Sequence, residues 1–420
     1  MRRSVAFLMA AVILAAGCSR DTAEVEAPKP APEAAAGLSA AARLAVFDAL
    51  WQTVSEQNLQ LAHKQIDWER VKQEFRGSVE TAPDQAAFET LLRKAVARLK
   101  DGHAYLDFPM DVRHQTAMET MMDGDRVVIR SVVPGSDAEQ AGLKPGMELT
   151  YIDGEPVATV WEAKRSLLSD STEYRNRWNA ARTILWGLPG THVSVRAADA
   201  SGRTVEANLA RDRQPTGPRP FEFRTLPGGI FYVRFTTFDE DGLMDRVEGV
   251  LKQAAAEQPP GLILDLRGNG GGSHQNGLRI ANYLSATPTV WGYVNDREAG
   301  VVREFVTRPA EATYRGPVIA LTDPSCFSAC DLFPAYLQQS GRGTVVGEPP
   351  SGATFEATEY PLPHGYTLHL PGNKDLLGPN RTALEGNPAQ PDYLAAPTAA
   401  DWAADRDAAL EKAIALLTGS

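Results

Sequence analysis

The sequence predicts a multidomain α+β protein: a helical N-terminal segment, a strand-rich middle, and a C-terminal part in which strands and helices alternate. Three observations carry this. Apolar residues recur at helical spacing between residues 38 and 100, β-branched runs separated by glycine and proline fill residues 118–213, and short apolar runs alternate with amphipathic stretches over residues 220–418. With 420 residues, 43% of them hydrophobic and 23% charged, the chain is long enough for two or three ordinary globular domains. A net charge of −11 repels nucleic acid and anionic lipid, which disfavours polyanionic partners, and no nucleic-acid partner is expected.

The first residues read as a targeting signal. Arg2 and Arg3 form a positive start, and Val5 to Ala16 is an apolar run too short to span a bilayer. Leu14-Ala15-Ala16-Gly17-Cys18 resembles the bacterial lipobox, which implies cleavage after residue 17 and a lipid on Cys18. Ser19, by resemblance to Gram-negative sorting, favours the periplasmic face of the outer membrane, with the membrane reached through the lipid anchor only. Residues 18–37, rich in Ala, Pro and Glu, form a linker that cannot bury a core.

The helical segment spans residues 38–117. Leu44, Phe47, Trp51 and Val54 recur at helical spacing, as do Trp68, Val71 and Phe75, and then Phe88, Leu91, Leu92, Ala95, Val96 and Leu99, so about three helices are expected. Residues 118–213 form the strand-rich module. Val127-Val128-Ile129 and Val132-Val133 are strand-like, a short helix starts near Ser136 and stops at Gly142, and Tyr151-Ile152-Asp153-Gly154 reads as a strand and tight turn. Val193-Ser194-Val195 and Val205 to Leu209 complete a sheet, and Ser166 to Thr183 reads as an insertion or a long helix. The run from Ala138 to Val157 resembles a PDZ domain of the bacterial-protease kind. That resemblance implies capture of a C-terminal peptide by strand addition, although Met121-Met122-Asp123-Gly124 stands where the usual carboxylate-binding loop would be.

Residues 214–420 form the α/β core. Strands are expected at Ile230–Phe235, Gly261–Leu266, Val318–Leu321 and Thr344–Val346, and helices at Leu243–Glu257, Leu278–Leu284, Leu332–Gln339 and Asp405–Leu417. In the last helix Leu410, Ala413, Ile414 and Leu417 share one face.

Two motifs in the core carry chemistry. Asp265-Leu266-Arg267-Gly268-Asn269-Gly270-Gly271-Gly272 follows a buried strand, and its glycines allow a tight turn that presents N–H groups to phosphate or to an oxyanion. No Walker lysine follows, which disfavours phosphate. Ser325-Cys326-Phe327-Ser328-Ala329-Cys330-Asp331 lies between a strand and a helix, where a serine hydroxyl is exposed and the next N–H can stabilise an oxyanion. Ser325 or Ser328 also fits a helix N-cap. Cys326 and Cys330 fit two small buried side chains, with a single local bridge as the alternative.

Together with Thr344 to Ala353, these motifs resemble the core of serine peptidase family S41, which includes C-terminal processing (tail-specific) and tricorn-like peptidases. The resemblance implies a ClpP/crotonase-like core behind a helical cap and a PDZ-like module, a polypeptide substrate, and no cofactor. It implies Ser328 as nucleophile, His103 in the run Asp101-Gly102-His103-Ala104-Tyr105 as base, and Glu385, 57 residues after Ser328, as the residue orienting the imidazole directly or through another polar group. The oxyanion would be held by the N–H groups of Ala329 and Gly271, with Gly270 beside them.

The Ser/Lys branch of the family places a lysine where this chain has Ala353, leaving Lys374 as the nearest downstream candidate. His274, His364 and His369 lack the spacing of a metal motif, so no metal is expected. A catalytically inactive peptide-binding scaffold, a carrier of a hydrophobic ligand and a Ser/Lys peptidase are the competing readings.

Overall fold

The computed structural model describes residues 37–109, 113–215, 217 and 219–419. Cys18, the targeting segment and nearly all of the linker lie outside the described residues. Among the described residues no helix is long and apolar enough to cross a membrane.

Residues 38–419 form one unit of mixed α/β structure with three sheets. Three main helices open it: Ala40–Gln57, Trp68–Glu80 and Gln85–Ala97. Ser39, Asp67 and Asp84 cap them, each side chain accepting a backbone N–H of the first turn. Their apolar stripes bury Phe47, Leu50, Phe75, Phe88 and Leu92 in one cluster. Trp51 and Trp68 remain partly polar in role, each indole N–H donating to the other's backbone carbonyl at 3.1 and 3.0 Å.

The middle sheet runs Met118–Asp123, Arg126–Val132, Glu148–Ile152, His192–Ala198 and Thr204–Ala210 in spatial order, all antiparallel. Asp153 and Gly154 both take positive φ, the requirement of the tight hairpin turn that leads into Glu155–Pro156. The short helix is Asp137–Gln140, capped by Ser136. The segment after Ser166 is an irregular stretch followed by the helix Glu173–Thr183, capped by Thr172, rather than one continuous helix.

The core sheet orders Phe221–Thr225, Phe231–Phe235, Leu262–Asp265, Val318–Thr322, Thr344–Gly347 and Tyr393–Leu394, parallel throughout except for the first pair. Alternation sorts its side chains. Val233, Leu262, Leu264 and Ala320 face the helices Asp241–Glu257, His274–Leu284 and Ala329–Gln339, while Tyr232, Ile263, Ile319 and Leu321 face the last helix, Ala408–Thr418. Both faces are therefore covered, as a parallel sheet requires.

The third sheet departs from the simple strand–helix alternation expected of the C-terminal part. Val290–Asp296, Val301–Val306, Phe355–Pro361 and Thr367–Leu377 pair antiparallel, and Tyr105–Asp107 joins them at Thr367–His369. Leu362, Tyr366, Leu368 and Leu370 pack into the cluster of the N-terminal helices. The helix after Val318–Thr322 also starts earlier than expected, at Ala329 rather than near Leu332.

Candidate active site

The strand Val318–Thr322 is wholly buried and ends at a turn of Asp323 and Pro324. Asp323 Oδ1 accepts the Ser325 N–H at 3.0 Å and the Ser325 hydroxyl, whose Oγ accepts the Gly268 N–H at 2.6 Å. Ser325 is thus a structural tie between the two chemistry-bearing loops. Ser328 is different. It immediately precedes the helix, yet its side chain accepts no capping hydrogen bond, and its backbone sits at φ 57°, ψ −122°. A non-glycine residue there costs about 1–3 kcal/mol and persists only where its surroundings enforce it.

Those surroundings are specific. The Ser328 N–H donates to the Ala353 carbonyl at 3.0 Å, the Phe327 N–H to Asn269 O at 3.1 Å, and the Ser351 N–H to Cys326 O at 2.9 Å. Cys326 and Cys330 bracket the serine and form a disulfide, the bridge rather than two free buried thiols. Asp331, fully buried, accepts from Ser351 Oγ and the Gly352 N–H, both at 2.7 Å, which fixes the loop that holds Ser328.

The glycine loop is anchored below by Asp265, which accepts from Tyr232 Oη at 2.6 Å and pairs with Arg267 at 2.7 Å; Arg267 also grips Asp407 at 2.8 Å. Above, Gly271 has φ 89° and lies so close to the Ser328 turn that a Cβ would fall 2.3 Å from Phe327 O. The Gly270 N–H donates to Thr236 O at 3.0 Å and the Gly271 N–H to Asn269 Oδ1 at 2.9 Å. Of the three oxyanion donors named from sequence, the Gly270 and Gly271 N–H groups are engaged, and the Ala329 N–H is the one with no acceptor among the described residues.

His103 comes from the turn after Gln85–Ala97. Its N–H donates to Asp101 Oδ1 at 2.9 Å, and its ring packs on Phe327 with 4.6 Å between centroids. Nδ1 is buried without a hydrogen bond, 4.0 Å from Asp101 Oδ1. Burial, reinforced by Lys64 and Arg175 and opposed by Asp101, pushes its pKa down to about 4, so the ring is a neutral base. No hydrogen bond joins it to Ser328 among the described residues.

No hydrogen bond or ion pair joins Glu385 to His103 among the described residues. Its Oε2 accepts the Thr354 N–H at 2.9 Å and its Oε1 meets Lys64 Nζ at 3.2 Å, while Lys64 also pairs with Asp101 at 2.7 Å. Burial and the neighbouring Asp101 push the Glu385 pKa up to about 7. Glu385 is thus linked to the His103 turn through Lys64 and Asp101.

Residues 229–395 match the family model described as peptidase family S41. The putative tricorn protease homolog 2 of Streptomyces coelicolor is 26% identical over 84% of this chain and 30% of its own length. The carboxy-terminal processing protease CtpB of Bacillus subtilis is 26% identical over 66% of this chain and 56% of its own length. This chain thus spans between about a third and a little over half of these curated relatives. Among solved structures, mature CPAF superposes with a TM-score of 0.73 at 15% identity, covering 90% of this chain and 96% of that one, a likeness of fold.

Within this chain the sequence missed three contributors to the site. Asp101 stands two residues before His103 and was a readable signal; Lys64 had none, since its partner Glu385 lies 321 residues away. The third is the stretch after Ser166: Ser169 and Ser171 accept the N–H groups of Asp101 and Gly102 at 3.2 and 2.9 Å, and Thr172 Oγ1 donates to Ser351 O at 3.1 Å. Lys374 is half-exposed and pairs with Glu356 at 3.6 Å, and Ala353 is buried against the Ser328 turn. No cluster of three or more His, Cys, Asp or Glu suited to a metal ion occurs among the described residues.

Proposed function

We propose that this chain is a serine peptidase that hydrolyses polypeptides through an acyl-enzyme, with Ser328 as nucleophile, His103 as general base and acid, and Glu385 acting through Lys64 and Asp101. The observation that carries the reading is the Ser328 hydroxyl, released from any capping role on a strained strand-to-helix turn beside a neutral buried histidine. In this reading Ser328 Oγ attacks the scissile carbonyl as His103 takes its proton. The Ala329 N–H receives the oxyanion, joined by the Gly271 N–H once it exchanges Asn269 Oδ1 for substrate. His103 then protonates the leaving amine, and water repeats the sequence to free the serine.

The wider reading has residues 38–117 as a helical cap, 118–213 as a PDZ-like module open to a C-terminal peptide, and 214–420 as the catalytic core. Cys18 would carry a lipid holding the protein at the periplasmic face of the outer membrane, with envelope polypeptides as substrates. The antiparallel order of the middle sheet and the sequence from Ala138 to Val157 support the PDZ-like assignment. A Ser/Lys mechanism is disfavoured by Ala353 and by the outward pairing of Lys374. One observation favours an inactive scaffold instead: no hydrogen bond joins Ser328 to His103 among the described residues.

The test is covalent labelling by a fluorophosphonate, run beside Ser328→Ala and His103→Ala. Labelling of the wild type alone supports the mechanism. Labelling that survives His103→Ala makes a lysine the base, and a folded wild type that never labels supports the scaffold.

A further inference from the structure

The turn that carries Ser328 is closed by a covalent bond. Cys326 and Cys330, two residues to either side of the serine, are joined by a disulfide with their Cα atoms 5.2 Å apart. Both cysteines are fully buried, in the same apolar cluster as Leu266, Ala320 and Phe333, whereas Ser325 and Phe327 line a cavity of about 860 Å³ beside the turn. The bridge therefore faces the core, where its sulfurs are shielded from attack, and its effect falls on the backbone it encloses.

That backbone has an alternative. Ser328 immediately precedes the helix Ala329–Gln339, a place where serine ordinarily takes extended backbone and its hydroxyl accepts an N–H of the first turn. Here φ is 57° and the hydroxyl caps nothing. The Asp331 N–H, which a capping serine would accept, donates to the Ser328 carbonyl at 2.9 Å instead. Extending Ser328 carries Phe327 and Cys326 away from the helix. Four residues of free chain reach about 13 Å, whereas a disulfide allows about 7 Å at most between Cα atoms, so the bridge works against the extended, capped form. Otherwise the turn is held by single backbone bonds: Phe327 N–H to Asn269 O, Ser328 N–H to Ala353 O and Ser351 N–H to Cys326 O, at 3.1, 3.0 and 2.9 Å. Each of these can be exchanged for a bond to water at little net cost.

We propose that the Cys326–Cys330 disulfide is a positioning device for the reaction: it denies Ser328 its capping conformation and keeps the hydroxyl free to attack. The proposal rests on the peptidase reading and adds a condition to it, oxidation. As the S–S bond forms, the two thiols give up two electrons and two protons to a disulfide oxidant, which leaves as two thiols. The reduced chain has its serine capped and idle, and oxidation arms it. Such bridges form in oxidising compartments, so a chain exported as proposed above becomes reactive only after leaving the cytoplasm.

The test compares three forms of the full chain: oxidised wild type, wild type reduced by a dithiol in mild urea and returned to buffer, and Cys326→Ala/Cys330→Ala. Mass spectrometry after alkylation counts the thiols in each. The maximal rate of fluorophosphonate labelling should fall about tenfold or more in both unbridged forms, and reoxidation should restore it in the reduced wild type alone. Tenfold corresponds to a preference of about 1.4 kcal/mol for the capped turn. The probe concentration that half-saturates labelling should not change, because the cavity wall is intact. Equal labelling rates with and without the bridge overturn the proposal and leave the peptidase reading standing. Hydrogen exchange over residues 326–331 and 351–354 reads the turn without chemistry, and should quicken about tenfold in the unbridged forms. Unchanged exchange there overturns the proposal even in a protein that never labels. Quickening that extends to the helix Asp241–Glu257 also overturns it, since the bridge then merely holds the fold. If exchange quickens at the turn alone in a chain that no fluorophosphonate labels, the peptidase reading falls and the conformational role of the bridge stands.

Discussion

Replacing Asp331 by Asn should flatten the pH dependence of stability. Asp331 is fully buried and accepts hydrogen bonds from Ser351 Oγ, the Gly352 N–H and, at 3.4 Å, the Ala353 N–H. Burial outweighs these bonds and pushes its pKa up to about 7, against 3.8 when unperturbed. The native state thus holds a proton between those values that the unfolded chain has lost. The stabilising contribution is complete below about pH 4 and disappears as pH rises through 7. Integrated from pH 5 to pH 8, it amounts to about 3 kcal/mol. The amide of Asp331→Asn keeps the Gly352 bond and offers its NH₂ to Ser351 Oγ, so packing survives while titration does not. Urea unfolding of both proteins at the two pH values measures the difference, since the midpoint shift times the slope gives the free energy. Wild type should lose about 3 kcal/mol relative to Asp331→Asn across that range. Parallel profiles would refute the argument and mean that Asp331 is ionised in both states.

Gly271→Ala should abolish fluorophosphonate labelling, because its φ of 89° disfavours a Cβ that would sit 2.8 Å from Ser328 Cβ; Gly270→Ala, with no atom within 4 Å of the added carbon, should unfold within about 0.5 kcal/mol of wild type. Labelling should stay near its plateau down to about pH 5, since burial holds the His103 pKa near 4; an acid limb at pH 6–7 would show an ordinary, solvated histidine. Lys64→Met leaves Asp101 and Glu385 without their cation and should cost about 3–5 kcal/mol at pH 8, measured by urea unfolding, and less at pH 5, where Glu385 is protonated.

What the sequence disclosed follows the range of each interaction. The N-terminal helices were legible because Phe47, Phe75 and Phe88 repeat at the helical period and burial enforces it. The core strands were legible because Leu262 to Leu264 and Val318 to Leu321 are apolar on both faces. The antiparallel sheet was not. Val301–Val306 is largely exposed, and Thr367–Leu377 carries Pro371-Gly372-Asn373 in its middle, which reads locally as a turn. At the site, the position of Ser328 between strand and helix was readable, while its positive φ, the engaged N–H groups of Gly270 and Gly271, and the Lys64 bridge arise only from contacts between distant segments.

His103 and Ser328 belong to segments more than two hundred residues apart, and besides the packing of His103 on Phe327 a third segment ties the two together. Residues 169–175 bind the His103 turn through Ser169 and Ser171, and the Ser328 side through Thr172 on Ser351 O and Arg175 on Pro324 O. Tyr174 adds a bond to buried Glu348 at 2.8 Å. Each neutral bond is worth about 1 kcal/mol, and a displacement of about 1 Å takes most of them beyond hydrogen-bond range. Catalytic geometry tolerates no larger error than that. On the proposed mechanism, the distance between His103 and Ser328 then depends on the seating of this stretch, and substitutions there should act on reactivity before they act on the fold.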